Sequence, residues 1–132
     1  MPGAALRKVL LIDDDPVVIS LYAALFRDSG FDVDTACDGE EGLVRLVERR
    51  PDAVLLDLAM PKVNGLEWLR RVHADGAESV PPIVILTSSE LRLTAQAALD
   101  AGAIEVLSKF KVDPNQVVDT VIAILSRQAA NA

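Results

Sequence analysis

The stretch "KVLLIDDDP", residues 8–16, joins a short apolar run to three consecutive carboxylates and a proline. Apolar and β-branched residues are typical of a buried strand, whereas adjacent carboxylates repel one another unless something compensates their charge. The step from an apolar strand to a polar residue at its carboxyl end recurs further along the chain. This pattern predicts a parallel α/β fold in which polar groups meet at one edge of the sheet.

Short apolar or β-branched runs alternate with longer segments of helical period along the whole chain. Five such units predict parallel strands joined by right-handed crossovers. The favoured fold is a flavodoxin-like, doubly wound, five-stranded sheet of order 2-1-3-4-5 with helices on both faces. The predicted strands are residues 8–12, 31–36, 53–57, 83–87 and 104–109.

Acidic N-cap residues mark the starts of several predicted helices. Asp15 precedes the first helix, Asp38 the second and Asp113 the last. Pro16 follows Asp15, at the first helical position where proline is tolerated. The third and fourth helices are predicted over residues 64–76 and 89–102.

Length and composition predict a single domain over residues 1–132, with a core of about residues 7–127 and a frayed end after Arg127. The formal charge of −7 repels phosphate backbones and anionic lipid, so neither nucleic acid nor membrane is an expected partner. Cys37 is the only cysteine, and no signal peptide or membrane-spanning run is present in the sequence. We therefore expect a cytoplasmic protein.

Polar residues follow four of the five predicted strands, and the sheet order brings those strand ends to one crevice. Three carboxylates within a few ångströms would keep one another partly protonated unless a cation neutralised them. Mg²⁺ prefers oxygen ligands and shares them with substrate phosphate, so a carboxylate of this group could attack phosphorus beside a bound ion. An ammonium and a hydroxyl would stabilise the transferred phosphoryl group. The residues concerned are Asp13, Asp14, Asp57, Thr87 and Lys109.

Four motifs, "LIDDDP", "LLDLAMPKVNG", "ILTSSE" and "VLSKF", resemble in order and spacing those of the response-regulator receiver domain of two-component signalling. The resemblance covers nearly the whole chain. It implies that Asp57 is phosphorylated from a histidine kinase or a histidine phosphotransfer protein. It further implies that Asp14 binds Mg²⁺ directly, that Asp13 helps as a ligand or through water, and that Asp57 and the carbonyl of Ala59 complete the metal site.

The resemblance also implies that Lys109 bonds a phosphoryl oxygen and that Thr87 moves to bond the phosphoryl group in the active state. Met60-Pro61 and Asn64-Gly65 would shape the loop after the acceptor. We expect a stand-alone receiver, not an enzyme beyond its own Mg²⁺-dependent phosphorylation, whose phosphorylation switches binding to an unknown protein target. The resemblance also allows a homodimer that forms through the fourth helix, fifth strand and fifth helix.

Four positions depart from the pattern that the resemblance implies. Val106 stands where the family usually has a Tyr or Phe whose ring swings inward on activation. Phe110 stands where proline is common, so a trans Lys109-Phe110 bond is the default. Neither Ala59 nor Ser89 offers an acid or amide to orient a water molecule, which predicts slow self-dephosphorylation.

Two other interpretations stay open. A receiver fragment of a longer regulator, or a phosphate-independent scaffold, is kept open by Val106 and Phe110. A haloacid-dehalogenase-like phosphatase would use Asp13 and Asp15, although Asp15 is better explained as the N-cap. Plain structural roles are expected for Trp68, which would pack, for His73, a surface or packing histidine, and for Cys37, a small apolar filler at the end of an edge strand. The pairs Arg49-Arg50 and Arg70-Arg71 are expected on solvated helix faces, which a partner could use.

Overall fold

A computed structural model describes residues 6–60, 63–74, 80–88, 92–109 and 111–130. Strands and helices alternate strictly along this part of the chain. The elements are β1 (Lys8–Ile12), α1 (Pro16–Asp28), β2 (Asp32–Ala36), α2 (Gly39–Arg49), β3 (Ala53–Leu56), α3 (Gly65–Ala74), β4 (Ile83–Thr87), α4 (Arg92–Asp100), β5 (Glu105–Ser108) and α5 (Pro114–Ala130).

The five strands form one parallel sheet of order β2-β1-β3-β4-β5, which confirms the predicted topology. Alternate residues of each strand face opposite layers. Val9 and Leu11 of β1 pack with α1 and α5, whereas Leu10 and Ile12 pack with α2, α3 and α4. The helices therefore cover both faces of the sheet, as the doubly wound fold requires.

The predicted N-caps are present in the structure. The Asp15 carboxylate accepts a hydrogen bond from the Val17 amide at 2.9 Å, and Asp38 accepts one from the Glu41 amide at 2.8 Å. Asp113 does the same for the Asn115 amide at 2.8 Å. Each cap satisfies a helix N–H that has no partner within the helix.

Element ends differ from the predicted bounds by a few residues. Strands β2, β3 and β5 lose one or two end residues, among them Asp57 and Lys109, which directly follow their strands. The expected fraying after Arg127 is wrong, because α5 continues to Ala130 through residues with high helix propensity. Helix α3 begins one residue later than predicted and α4 ends two residues earlier, whereas the predicted end of α3 and start of α4 fall on residues 75–79 and 89–91, outside the described part of the chain.

Trp68 is packed and His73 lies at the surface, as expected, whereas Cys37 differs from the prediction. Trp68 is fully buried in the layer of α2, α3 and α4, and the His73 ring packs against Gly102, with its Nδ1 2.8 Å from the Leu69 carbonyl oxygen. Cys37 follows the edge strand β2 as expected, but it is exposed and its thiol donates to Glu41 at 3.3 Å, so it is not an apolar filler. No helix in the described residues is long and apolar enough to cross a membrane.

Candidate functional site

The carboxyl ends of β1, β3, β4 and β5 bring the predicted polar residues together. Ile12 pairs with Leu56 across β1 and β3, so the residues that follow them, Asp13 and Asp57, lie side by side. Thr87 ends β4 and its carbonyl accepts a hydrogen bond from the Lys109 amide at 2.8 Å. One edge of the sheet thus carries two carboxylates, a hydroxyl and an ammonium.

Asp13 is buried, and both of its carboxylate oxygens are hydrogen-bonded. Lys109 donates its ammonium Nζ to Oδ2 at 2.9 Å. The amide of Asp15 donates to Oδ1 at 2.9 Å. A buried carboxylate needs such partners, because transfer of an unpaired charge out of water is strongly unfavourable.

Asp57 is equally buried but less well compensated. Its Oδ2 lies 3.7 Å from Nζ of Lys109, and its Oδ1 accepts a long hydrogen bond of 3.3 Å from the Ala59 amide. Burial, followed by the negative charge of Asp13, raises the pKa of Asp57 to about 6, and Lys109 offsets only part of this effect. Of the described groups at this edge, Asp57 is therefore the one whose negative charge is least compensated.

Lys109 joins the two carboxylates. Burial opposes its charge, but the hydrogen bond to Asp13 and the charges of Asp57 and Asp13 outweigh burial and raise the pKa of Lys109 above its ordinary value. Lysine is thus held as an ammonium at neutral pH. A fixed ammonium between two carboxylates is suited to receive an oxygen of a phosphoryl group.

Asp14 completes a group of three carboxylates that could hold a cation. One oxygen from each of Asp13, Asp14 and Asp57 lies within 4.8 Å of the others, and Asp14 is exposed to solvent. Three carboxylates against the single ammonium of Lys109 leave excess negative charge. An all-oxygen donor set of this kind matches the preference of Mg²⁺, which needs only one or two carboxylates and keeps several waters.

The structure describes some of the other predicted site residues but not all of them. Thr87 is buried, and Ala59 is exposed with its amide directed at Asp57. The Asp15 side chain caps α1, which separates it from the acidic group and leaves the Asp13-x-Asp15 pair of a phosphatase without support. Ser89, Phe110 and Pro61 lie outside the described residues.

Two details near this edge go beyond the role predicted for Asn64-Gly65 in shaping the loop after Asp57. Gly65 packs so closely that a Cβ there would lie 2.7 Å from the Asp57 carbonyl oxygen. The "NG" of the loop motif was the only sequence signal for it. A second group, Cys37, Asp38 and Glu41, brings possible ligand atoms together beyond the end of β2, but the thiol already donates to Glu41 and Asp38 already caps α2.

Comparison with known proteins assigns this geometry to a family. Residues 9–122 match the sequence profile of the response regulator receiver domain. The DNA-binding response regulator MtrA of Mycolicibacterium smegmatis is 37% identical over 122 residues, which is 92% of this chain and 51% of MtrA. The alkaline phosphatase synthesis transcriptional regulatory protein PhoP of Bacillus subtilis is 32% identical over 92% of this chain and 49% of its own length. The chain thus spans about half the length of these relatives.

A solved structure shows the same fold. The CheY-like response regulator receiver domain protein of Methanospirillum hungatei superimposes with a TM-score of 0.87 over 97% of this chain and 100% of that chain. Its sequence identity is 22%, so the likeness concerns the fold.

Proposed function

Because the chain belongs to the response-regulator receiver family, we propose that residues 1–132 form a single receiver domain that accepts a phosphoryl group on Asp57 from a phosphohistidine donor. Receiver domains are signalling domains of two-component systems and not ordinary enzymes. The observation that carries the proposal is the convergence of Asp13, Asp57 and Lys109 at one edge of the sheet.

Hydrogen bonding favours Asp57 over Asp13 as the acceptor. Both oxygens of Asp13 accept bonds of 2.9 Å, which lower their nucleophilicity. Within the described ranges, Asp57 has only a 3.3 Å bond from Ala59 and a 3.7 Å ion pair with Lys109. An oxygen of Asp57 forms the new P–O bond while the P–N bond of the donor breaks, and the donor imidazole keeps the electron pair and takes up a proton.

Mg²⁺ fits the acidic group, and receiver domains generally bind this ion at an acidic pocket. We assign it to Asp13, Asp14, Asp57 and the backbone carbonyl of Ala59. The raised pKa of Asp57 supports this choice, because it reflects negative charge that the protein alone does not compensate. When bound, the ion supplies positive charge to the carboxylates and to the phosphoryl oxygens.

Lys109 and Thr87 are proposed to stabilise the phosphoryl group. Lys109 already lies between the two buried carboxylates, so its ammonium can bond an added phosphoryl oxygen without leaving the site. Thr87 lies on the neighbouring strand end, and the backbone bond between the two residues fixes their relative position. Neither residue has to supply or remove a proton for the transfer itself.

The partners proposed are a histidine kinase or histidine phosphotransfer protein as donor and a protein target whose affinity differs between the two phosphorylation states. The charge of −7 argues against nucleic acid or membrane as partners of this chain, and the DNA binding named for MtrA is a property of that relative. We place the protein in the cytoplasm with its donor. Leu99 of α4 and Ile104 beside β5 are exposed and offer apolar contacts for a homodimer through α4, β5 and α5.

Intact-protein mass spectrometry after incubation with acetyl phosphate and Mg²⁺ tests the proposal. We expect one added phosphoryl group in the wild type, none in Asp57→Asn and none when the metal is chelated. Asp15→Asn is the matched control, because it also removes a carboxylate near the site while asparagine still caps a helix. It should be phosphorylated like the wild type.

Other outcomes would contradict the assignment. An adduct on Asp57→Asn would move the acceptor to another residue. A wild type that neither gains a phosphoryl group nor binds Mg²⁺ would support the phosphate-independent scaffold, with Val106 and Phe110 as the residues to explain.

A further inference from the structure

An open groove of about 960 Å³ lies between α2 and α3. Pro51, just before β3, and Val80 and Pro81, just before β4, form its end at the sheet. These residues lie at the amino ends of the strands, whereas the acidic site lies at the carboxyl ends. A molecule in the groove and a phosphodonor at Asp57 would therefore approach opposite edges of the sheet.

The groove is mainly apolar. Leu43 and Leu46 of α2 are only partly buried where they pack against the core, and Val72 of α3 is buried beneath them. Val47, on the same side of α2, leaves 75% of its surface exposed to water. Adjoining exposed apolar side chains of this kind can form an interaction site.

Among the described residues, the charged groups that line the groove are opposite in sign to the net charge of the chain. Of the described residues that line the groove, Arg50 and Arg71 are charged and none is acidic. The chain as a whole has a net charge of −7. Such a local reversal of charge favours an acidic partner and fixes its orientation more than it adds to affinity.

The two arginines have guanidinium N–H groups available for carboxylates. The Nε of Arg71 bonds Glu67 at 3.2 Å, which leaves its terminal nitrogens for other acceptors. Arg50 has no ion pair within the described ranges, and it ends α2 in a left-handed conformation, φ 47°, that glycine normally takes. The guanidinium groups of Arg50 and Arg71 can each bind a carboxylate of a partner whose apolar residues contact the apolar side chains of the groove.

We propose that this groove binds an acidic amphipathic helix of a partner protein. Its apolar residues, spaced i, i+3 or i+4 and i+7, would pack on Leu43, Leu46 and Val47, and its carboxylates would bond Arg50 and Arg71. A helix is favoured over an extended segment because the groove walls are two helices and the edge strands β2 and β5 take no part in it. The inference goes beyond the proposed function and does not depend on phosphorylation.

The test is selection of binders from a random peptide display library of about 16 residues, long enough for four helical turns. The wild-type protein is the target, and a support without protein removes peptides that bind the support. We expect enriched peptides with Asp or Glu beside apolar residues at helical spacing. They should bind Val47→Glu about tenfold more weakly than the wild type, as for a central interface residue.

Two further variants separate groove binding from a fault in folding. Arg50→Gly removes one charge where glycine suits the backbone, and it should weaken binding about threefold without loss of stability. Val44→Glu is the matched control, because Val44 is a 54% exposed valine on α2 that does not line the groove, so its peptide affinity should match the wild type. Phosphorylation of each variant by acetyl phosphate reports separately on the acidic site.

Three results would overturn the proposal. One is the absence of enriched peptides, or enrichment of basic ones. Another is equal weakening by Val44→Glu and Val47→Glu. The third is a wild-type dimer, seen by sedimentation, that Val47→Glu dissociates, because the occupant would then be a second copy of the chain.

Discussion

Asp57 is a carboxylate whose charge destabilises the folded chain in the absence of metal. Burial and Asp13 raise its pKa to about 6, against 3.8 for an ordinary aspartate. The folded state therefore binds this proton more tightly than the unfolded state does. The stability that it contributes is fully present below about pH 4 and is lost as the pH rises to about 6.

Asp57→Asn should therefore stabilise the metal-free protein. With allowance for solvent screening, we expect the free energy of unfolding at pH 7.5 to rise by about 1–2 kcal/mol, and the gain to shrink as the pH is lowered toward 4. Urea denaturation in a chelating buffer measures both values. Asp15→Asn, which keeps its cap, should change stability little at either pH. A gain that does not vary with pH would point to packing and not to charge.

Ala59 is the second residue whose side chain leads to a testable prediction, which concerns the rate of dephosphorylation. It is exposed beside Asp57, and its methyl group cannot hold a water molecule in line with a phosphoryl group. Under the proposed function, Ala59→Asn should speed loss of the phosphoryl group about tenfold, because the amide can orient the attacking water. Mass spectrometry after removal of the donor gives the rate.

Ala59→Leu is the control for that change, since leucine has a size similar to asparagine but no polar atom. Its rate should equal that of the wild type. Equal rates in Ala59→Asn and Ala59→Leu would mean that access of water to Asp57 is not controlled from this position.

Among the elements, the start of α3 packs against the backbone of Asp57. Asn64 begins α3 by accepting from the Glu67 amide at 2.9 Å, and the Gly65 amide donates to the Leu58 carbonyl at 3.0 Å. A Cβ on Gly65 would lie 2.6 Å from Cα of Leu58 and 2.7 Å from the carbonyl oxygen of Asp57. Both of these atoms belong to the backbone, so the backbone of Asp57 itself would have to move.

Gly65→Ala should lower the free energy of unfolding by about 1–3 kcal/mol and slow phosphorylation by acetyl phosphate as well. Asn64→Ala is the matched control: it removes the cap of the same helix, at about 1 kcal/mol, but leaves the backbone of Asp57 in place. Urea denaturation and the rate of mass gain measure the two effects. A phosphorylation rate that falls equally in both variants would mean that stability, and not the position of Asp57, controls it.

The helix starts were predictable from the sequence because a cap is a local interaction. Asp15, Asp38 and Asp113 each bond an amide two or three residues later, and such spacing is visible in the sequence. Burial was less predictable. Cys37 is exposed because the chain turns away after β2, and its thiol bonds Glu41 of the next helix.

At the scale of the whole molecule, the predicted strand order also predicts which polar residues meet at one edge of the sheet. Once five parallel strands take the order 2-1-3-4-5, the ends of β1, β3, β4 and β5 must share an edge, so Asp13, Asp57 and Lys109 meet there. The sequence did not indicate which carboxylate takes the shorter Lys109 bond. Nor did it indicate the groove between α2 and α3, because side-chain packing between distant segments sets both features.

Magnesium should stabilise the entire fold, because its proposed ligands on β1 and β3 come together only when the sheet has formed. At a free Mg²⁺ concentration tenfold above its dissociation constant, the free energy of unfolding should rise by about 1.4 kcal/mol. The gain should be smaller at pH 5 than at pH 7.5, since a proton then competes for Asp57, whose pKa is about 6 without metal. Thermal or urea denaturation at constant ionic strength measures it.

Two variants locate the ion that produces this gain. Asp57→Asn should lose most of the stabilisation by Mg²⁺, although it is itself the more stable protein without metal. Glu41→Gln removes a carboxylate from the second group, Cys37, Asp38 and Glu41, and should keep the full gain. If Glu41→Gln lost the gain and Asp57→Asn kept it, the ion would bind beyond β2, and the excess negative charge at Asp57 would have to be neutralised by the incoming phosphodonor.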